Sequence, residues 1–167
     1  MPSATMLLGA AGEYYIMCQF LRRGLIAALA PVGVPNADLI VTDDIGEKLC
    51  AIQVKTRIEK GTDGGWHMSK KHEDIVSENL LYVFLDFGSS LIDPPSSFIV
   101  PSAEVAAAVK ESHAFWLATP GKRGQQRNDS NMRRFLPDYS KVGIEIGRSQ
   151  GWLEPYREAW HLAEIQS

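Results

Sequence analysis

At 167 residues, 45% hydrophobic and 22% charged, the chain has enough apolar material for one domain with its own core, and this composition excludes a disordered chain. The net charge of −3 supplies no global positive field, so any contact with a polyanion must come from a local patch. Cys18 and Cys50 lack the C-x-x-C spacing of a metal site and read as small core hydrophobes.

No Lys or Arg precedes the first apolar run, and Glu13 interrupts that run. These features argue against a signal peptide or a membrane span and predict a cytoplasmic protein. Ser3 is placed to cap a helix whose stripe Leu7, Ala11, Tyr14, Cys18 and Leu21 is expected to face the core, with Gly24 as the stop. Glu13 shares a second stripe with Gly9, Ile16 and Phe20. An acid among apolar neighbours needs a cation, a metal or a proton, unless it lies at the rim and reaches solvent. Gly9 and Gly12 would let another backbone come close.

Residues 25–30 read as a first strand, and Pro31 to Pro35 as an extended connector. The apolar runs Leu39–Val41 and Leu49–Val54 flank Asp43-Asp44-Ile45-Gly46-Glu47, which has hairpin chemistry. A turn centred on Ile45-Gly46 sets Thr42 opposite Leu49 and Asp38 opposite Gln53. Strand alternation then puts Gln53 and Lys55 on one face and Cys50, Ile52 and Val54 on the other. A slip of one residue would send Asp38 to the opposite face, so the gathering of acid, amide and amine depends on this register.

With Gly12-Glu13, Asn36-Ala37-Asp38 and Ile52-Gln53-Val54-Lys55-Thr56-Arg57 in this order, the chain resembles the PD-(D/E)XK nuclease superfamily, and most of all the archaeal Holliday-junction resolvases. Asn36-Ala37 stands where a proline usually precedes the acid, and Gln53 where an acid usually precedes x-Lys. The resemblance implies an α/β restriction-endonuclease-like core, a mixed central sheet flanked by helices. It assigns Asp38 as the metal-binding acid, Lys55 as the catalytic lysine, Glu13 as a helix-borne acid and the Val54 carbonyl as a further ligand. Independently of the family, phosphodiester hydrolysis needs a nucleophilic water and charge neutralisation. Mg²⁺ or Mn²⁺ held by Asp38, Glu13 and the amide oxygen of Gln53 would provide both. Lys55 either stabilises charge on the phosphate or is a salt-bridge partner of the acids.

Beyond the hairpin, Ile58 to Gly65 reads as a loop. In Trp66-His67-Met68-Ser69-Lys70-Lys71-His72, the lysines either contact phosphate and Trp66 stacks on a base, or Trp66 is core and the lysines open a solvated helix. His67 and His72, five apart, do not share a helical face. Leu80–Phe87 and Ser96–Val100 are expected strands, and Ser102 is placed to cap a helix reaching about Trp116. Between 119 and 134, Lys122, Arg123, Arg127, Arg133 and Arg134 oppose one acid, Asp129. A basic loop suited to phosphate, or a merely solvated one, accounts for them, and Arg57 joins this candidate nucleic-acid set. Trp152, Tyr156 and Trp160 recur every four residues, predicting a last helix over about 150–167 that packs on the core or forms a homodimer face.

The expected whole is a single nuclease-like domain over 1–167, with its motif core at about 8–58 and the order α-β-β-β-α-β-β-α. Its expected activity is metal-dependent endonucleolytic cleavage of DNA, with branched or otherwise structured DNA as a candidate substrate. The alternative is a catalytically silent module of the same fold that binds nucleic acid or a protein.

Overall fold

The computed structural model describes residues 1–47, 49–59 and 63–164. Helix α1 (Ala4–Arg22) starts where the Ser3 hydroxyl accepts the Met6 N–H at 3.2 Å and stops before Gly24, whose φ of +81° ends it without steric cost. Strands β1 (Ile26–Leu29), β2 (Leu39–Thr42) and β3 (Leu49–Arg57) follow, then β4 (Trp66–Ser69), a single 3₁₀ turn (Lys70–Glu73), β5 (Leu80–Asp86) and β6 (Ser96–Pro101). Helix α2 (Ser102–Ala118) and β7 (Met132–Phe135) come next, and short 3₁₀ turns finish the described chain.

A mixed five-stranded sheet runs β1-β2-β3-β5-β6, with only the β3–β5 pair parallel, and β4 and β7 form a separate antiparallel ribbon. The sheet buries both faces. Ile16 and Phe20 of α1 cover Leu39, Val41, Ile52, Val54, Val83 and Trp160, whereas Val105 and Val109 of α2 and the ribbon cover Tyr82, Phe84, Val100, Phe135 and Tyr139. The central strand β5 is accordingly apolar at almost every position. Among the described residues, no helix is long and apolar enough to cross a membrane.

The fold class and the hairpin register agree with expectation, since Thr42 pairs with Leu49 and Leu39 with Ile52. Several local expectations give way to tertiary packing. The face of α1 turned to the sheet is Gly12, Ile16 and Phe20, while Leu7 (58% exposed), Tyr14 (55% exposed) and Cys18 point outward. Ser102 is the first helical residue rather than the cap. Its buried hydroxyl accepts the Ser77 N–H at 2.9 Å and donates to the Ser77 carbonyl at 2.8 Å. In place of the helix expected between β3 and β5, the chain forms β4 and one 3₁₀ turn, because Trp66 and Met68 alternate into the core opposite β7. Residues 60–62 of the expected loop lie outside the described residues.

No terminal helix forms among the described residues of the expected 150–167 segment, where Pro155 and a left-handed Glu158 (φ +49°) interrupt it. The segment instead crosses the edge strand β6, with Glu158 donating its N–H to the Ser97 carbonyl at 2.9 Å. Trp152 and Trp160 are thereby placed on opposite faces of the sheet.

Candidate active site

Asp38 sits one residue before β2, and its backbone is fixed from both sides. Its carbonyl accepts the Ala30 N–H at 2.8 Å, and its N–H donates to the Ile52 carbonyl at 2.8 Å. Backbone groups on β3 alternate in direction: the Ala51 N–H turns to the β5 side, where Asn79 accepts it, and the Ile52 carbonyl turns to the β2 side. Val54 belongs with Ile52, but β2 begins at Leu39 and stops short of it. In the gap the Asp38 carboxylate replaces the missing strand, accepting the Val54 N–H at 2.7 Å on Oδ2. The Val54 carbonyl faces the same gap by strand geometry.

The amide of Gln53, 8% exposed, donates to the same Oδ2, whereas Oδ1 of Asp38 takes no hydrogen bond among the described residues. Glu13 reaches this place from the helix layer because α1 lies almost on β3. A Cβ on Gly12 would fall 1.9 Å from Oγ1 of Thr56, so only glycine permits the approach. The Glu13 carboxyl is held above its ordinary range, first by burial and then by the charge of Asp38. Lys55, on the same face as Gln53, is lowered mainly by burial and further by Lys71, against an opposing pull from Asp38. The charge of Asp38 thus acts on Glu13 in α1 and on Lys55 in β3, two residues carried by opposite faces of the sheet. The missing strand partner opens the gap through which both layers reach it.

Two neighbours complete the constellation without a sequence signal strong enough to single them out. Asn36 adopts a left-handed conformation (φ +60°), and its side-chain oxygen accepts Nζ of Lys71 at 3.2 Å. His72 lies buried behind Lys55 and Lys71. Tolerance of Asn for positive φ was the one available hint.

Other basic candidates are engaged within the protein. Arg133, 3% exposed, pairs with Glu73 and, at 3.1 Å, with Asp129, which also takes Lys70 at 2.7 Å. Arg134 donates through Nε to Asp63 at 3.0 Å. Arg127 stacks 4.7 Å from the Trp116 ring centre and donates to the Trp116 carbonyl at 3.1 Å. Arg57 is paired with Asp86 and lies over Trp66, which is itself buried among Phe84, Phe98 and Phe135 and is not presented for stacking on a base. Lys71, Lys122 and Arg123 remain exposed, the first of them hydrogen-bonded to Asn36 and acting by its charge on Lys55. Two clefts, of about 310 and 570 Å³, lie away from the acids, against α2 and β7 and against Arg57 and Arg157.

No family model matches the sequence, and no curated protein sequence matches it. Among solved structures, the bacterial homing endonuclease I-Ssp6803I matches over 97% of this chain and 91% of its own, with a TM-score of 0.53 at 15% identity. The two share the mixed α/β fold. Hjc, a Holliday junction resolvase from the archaeal hyperthermophile Archaeoglobus fulgidus, matches over 83% of this chain and 91% of its own, with a TM-score of 0.44 at 12% identity.

Proposed function

We propose that the chain is a metal-dependent endonuclease that hydrolyses DNA phosphodiesters at the gap beside Asp38. The observation that carries this reading is the carboxylate of Asp38, fixed on Oδ2 by Val54 and Gln53, with Glu13 and Lys55 brought to it from opposite layers of the sheet.

The donors at the gap are hard oxygens: two carboxylates, the Gln53 amide and the Val54 carbonyl. That set suits Mg²⁺ or Mn²⁺, which prefer oxygen and are commonly held by one or two carboxylates. Among the described residues no group of three or more His, Cys, Asp and Glu side chains is placed to hold a metal, and the proposed set accordingly contains two acids, Asp38 and Glu13. Bound there, the cation supplies charge neutralisation at the phosphate and a water more readily deprotonated. Lys55, within Coulombic reach of Asp38, orients that water or stabilises charge growing on the phosphoryl oxygens. Lys71, exposed at the same rim, holds an adjacent phosphate.

Gln53 supports a second reading. Its amide adds no charge and donates into Asp38 as an ionised glutamate could not, an arrangement that also suits a silent DNA-binding module. The deciding experiment incubates purified protein and Mg²⁺ or Mn²⁺ with linear duplex, single-stranded and four-way-junction DNA, beside Asp38→Ala and Lys55→Ala. Cleavage by the parent that falls at least about a hundredfold in both variants supports the enzyme. Equal cleavage by parent and variants refutes the site, and binding without cleavage by the parent establishes the silent module.

A further inference from the structure

Behind the candidate site lie two buried polar atoms with no hydrogen-bond partner among the described residues: Nε2 of His72 and the hydroxyl of Tyr82. Both side chains are deeply buried, His72 at 3% exposure and Tyr82 at none, and their rings meet edge to face at 5.9 Å. Native interiors satisfy such atoms almost without exception, so two adjacent unpaired ones mark a polar site.

Nδ1 of His72 lies 3.0 Å from the backbone N–H, the hydroxyl and the carbonyl of Ser69; because the N–H can only donate, we assign Nδ1 as its acceptor and the ring proton to Nε2. Burial disfavours a second proton on the ring, the Ser69 backbone contact opposes this, and the charges of Lys55 and Lys71 add to the burial effect. Tyr82 belongs to the same side of the sheet as the proposed catalytic row, since it pairs with Gln53 across the parallel β3–β5 ladder, and its neighbour Phe84 pairs with Lys55. The imidazole meets the Tyr82 ring, and the charges of Lys55 and Lys71 reach it. Lys55 has three donors and no acceptor of its own, and Asp38 can take only part of that demand.

We propose that His72 and Tyr82 are positioning residues that hold one buried water behind Lys55, fixing its amine toward Asp38. With the ring proton on Nε2, the water accepts from Nε2–H of His72 and from the Lys55 ammonium, and donates to the Tyr82 hydroxyl. Three polar partners are the usual complement of an internal water. The role of Lys55 in this inference rests on the proposed nuclease reading, whereas the water and its three partners do not.

The test has two arms. A high-resolution crystal structure of the parent, with ¹⁵N NMR of the His72 ring, is expected to show one water within hydrogen-bond distance of all three groups. The Nε2–H signal should also shift in Lys55→Met. A direct bond between His72 and Tyr82, or a dry site with an unmoved signal, overturns the inference whether or not the protein cuts DNA. In the cleavage assay, His72→Phe and Tyr82→Phe are each expected to lower kcat about ten- to a hundredfold with KM unchanged, the scale seen when a residue that orients a functional side chain is removed. The double variant should be little worse than either single one. His72→Asn, which can restore a donor, should recover part of the activity. Folded Phe variants that cut at the parent rate, or effects that multiply in the double variant, overturn it.

Discussion

Replacing Gln53 by Glu would set a second carboxyl where an amide now donates to Asp38, inside a strand position that is 8% exposed. Two like charges about 4 Å apart in a medium of effective dielectric near 20 repel by about 4 kcal/mol. At about 1.4 kcal/mol per pKa unit, that raises the introduced carboxyl by about three units, to near pH 7. The folded-state pKa lies above the unfolded value, so the variant carries no penalty below about pH 4. The penalty grows as pH rises and levels off above about pH 7. At pH 8 without metal the variant should be destabilised by roughly 3–4 kcal/mol, which lowers Tm by roughly 10 °C for a chain of this size.

A cation in the gap reverses this, because ligand at a hundred times its Kd contributes about 2.7 kcal/mol. Thermal melts of parent and Gln53→Glu at pH 4 and pH 8, with and without Mg²⁺, separate the two effects. A variant that melts with the parent at pH 8 in chelator refutes the contact between Gln53 and Asp38. A destabilised variant that Mg²⁺ leaves unchanged refutes the cation pocket.

Gly12→Ala should destabilise the fold by about 1–3 kcal/mol in denaturant titration and weaken cleavage, because its methyl meets Thr56 and lifts Glu13 from the sheet. Adding Thr56→Ala should recover part of the stability, and no recovery would refute that contact as the cause. Of the two thiols, exposed Cys18 should react with a thiol reagent in the native protein while Cys50, buried and pushed up to about 11, reacts only on unfolding. Cys18→Ser should therefore abolish the fast phase. Arg133→Ala, which strands Glu73 beside an empty place, should cost about 3 kcal/mol of stability without changing the salt dependence of DNA binding. Lys122→Ala with Arg123→Ala should leave stability within about 0.5 kcal/mol. That pair should reduce the salt slope by about 0.9 for each phosphate the two side chains neutralise, and an unchanged slope would remove these residues from the interface.

The hairpin from Leu39 to Arg57 was legible because its information is local. Two apolar runs and a glycine-containing turn set a register that needs no other part of the chain, and that register alone puts Asp38 opposite Gln53. The α/β class followed equally from strand-like runs interleaved with helical stretches. Long-range packing decided the rest. Leu7, Tyr14 and Leu21 make as good a stripe as Ile16 and Phe20, and periodicity cannot say which one meets a sheet; the close approach of Gly12 to Thr56 does. Arg133 looks like any loop arginine until β7 pairs with β4 and buries it against Glu73, so charge counted along the chain overstated the basic surface. That Nε2 of His72 and the Tyr82 hydroxyl are buried without a partner among the described residues is decided by tertiary contacts alone, because a buried polar atom reveals its unmet bond only when everything around it has been placed.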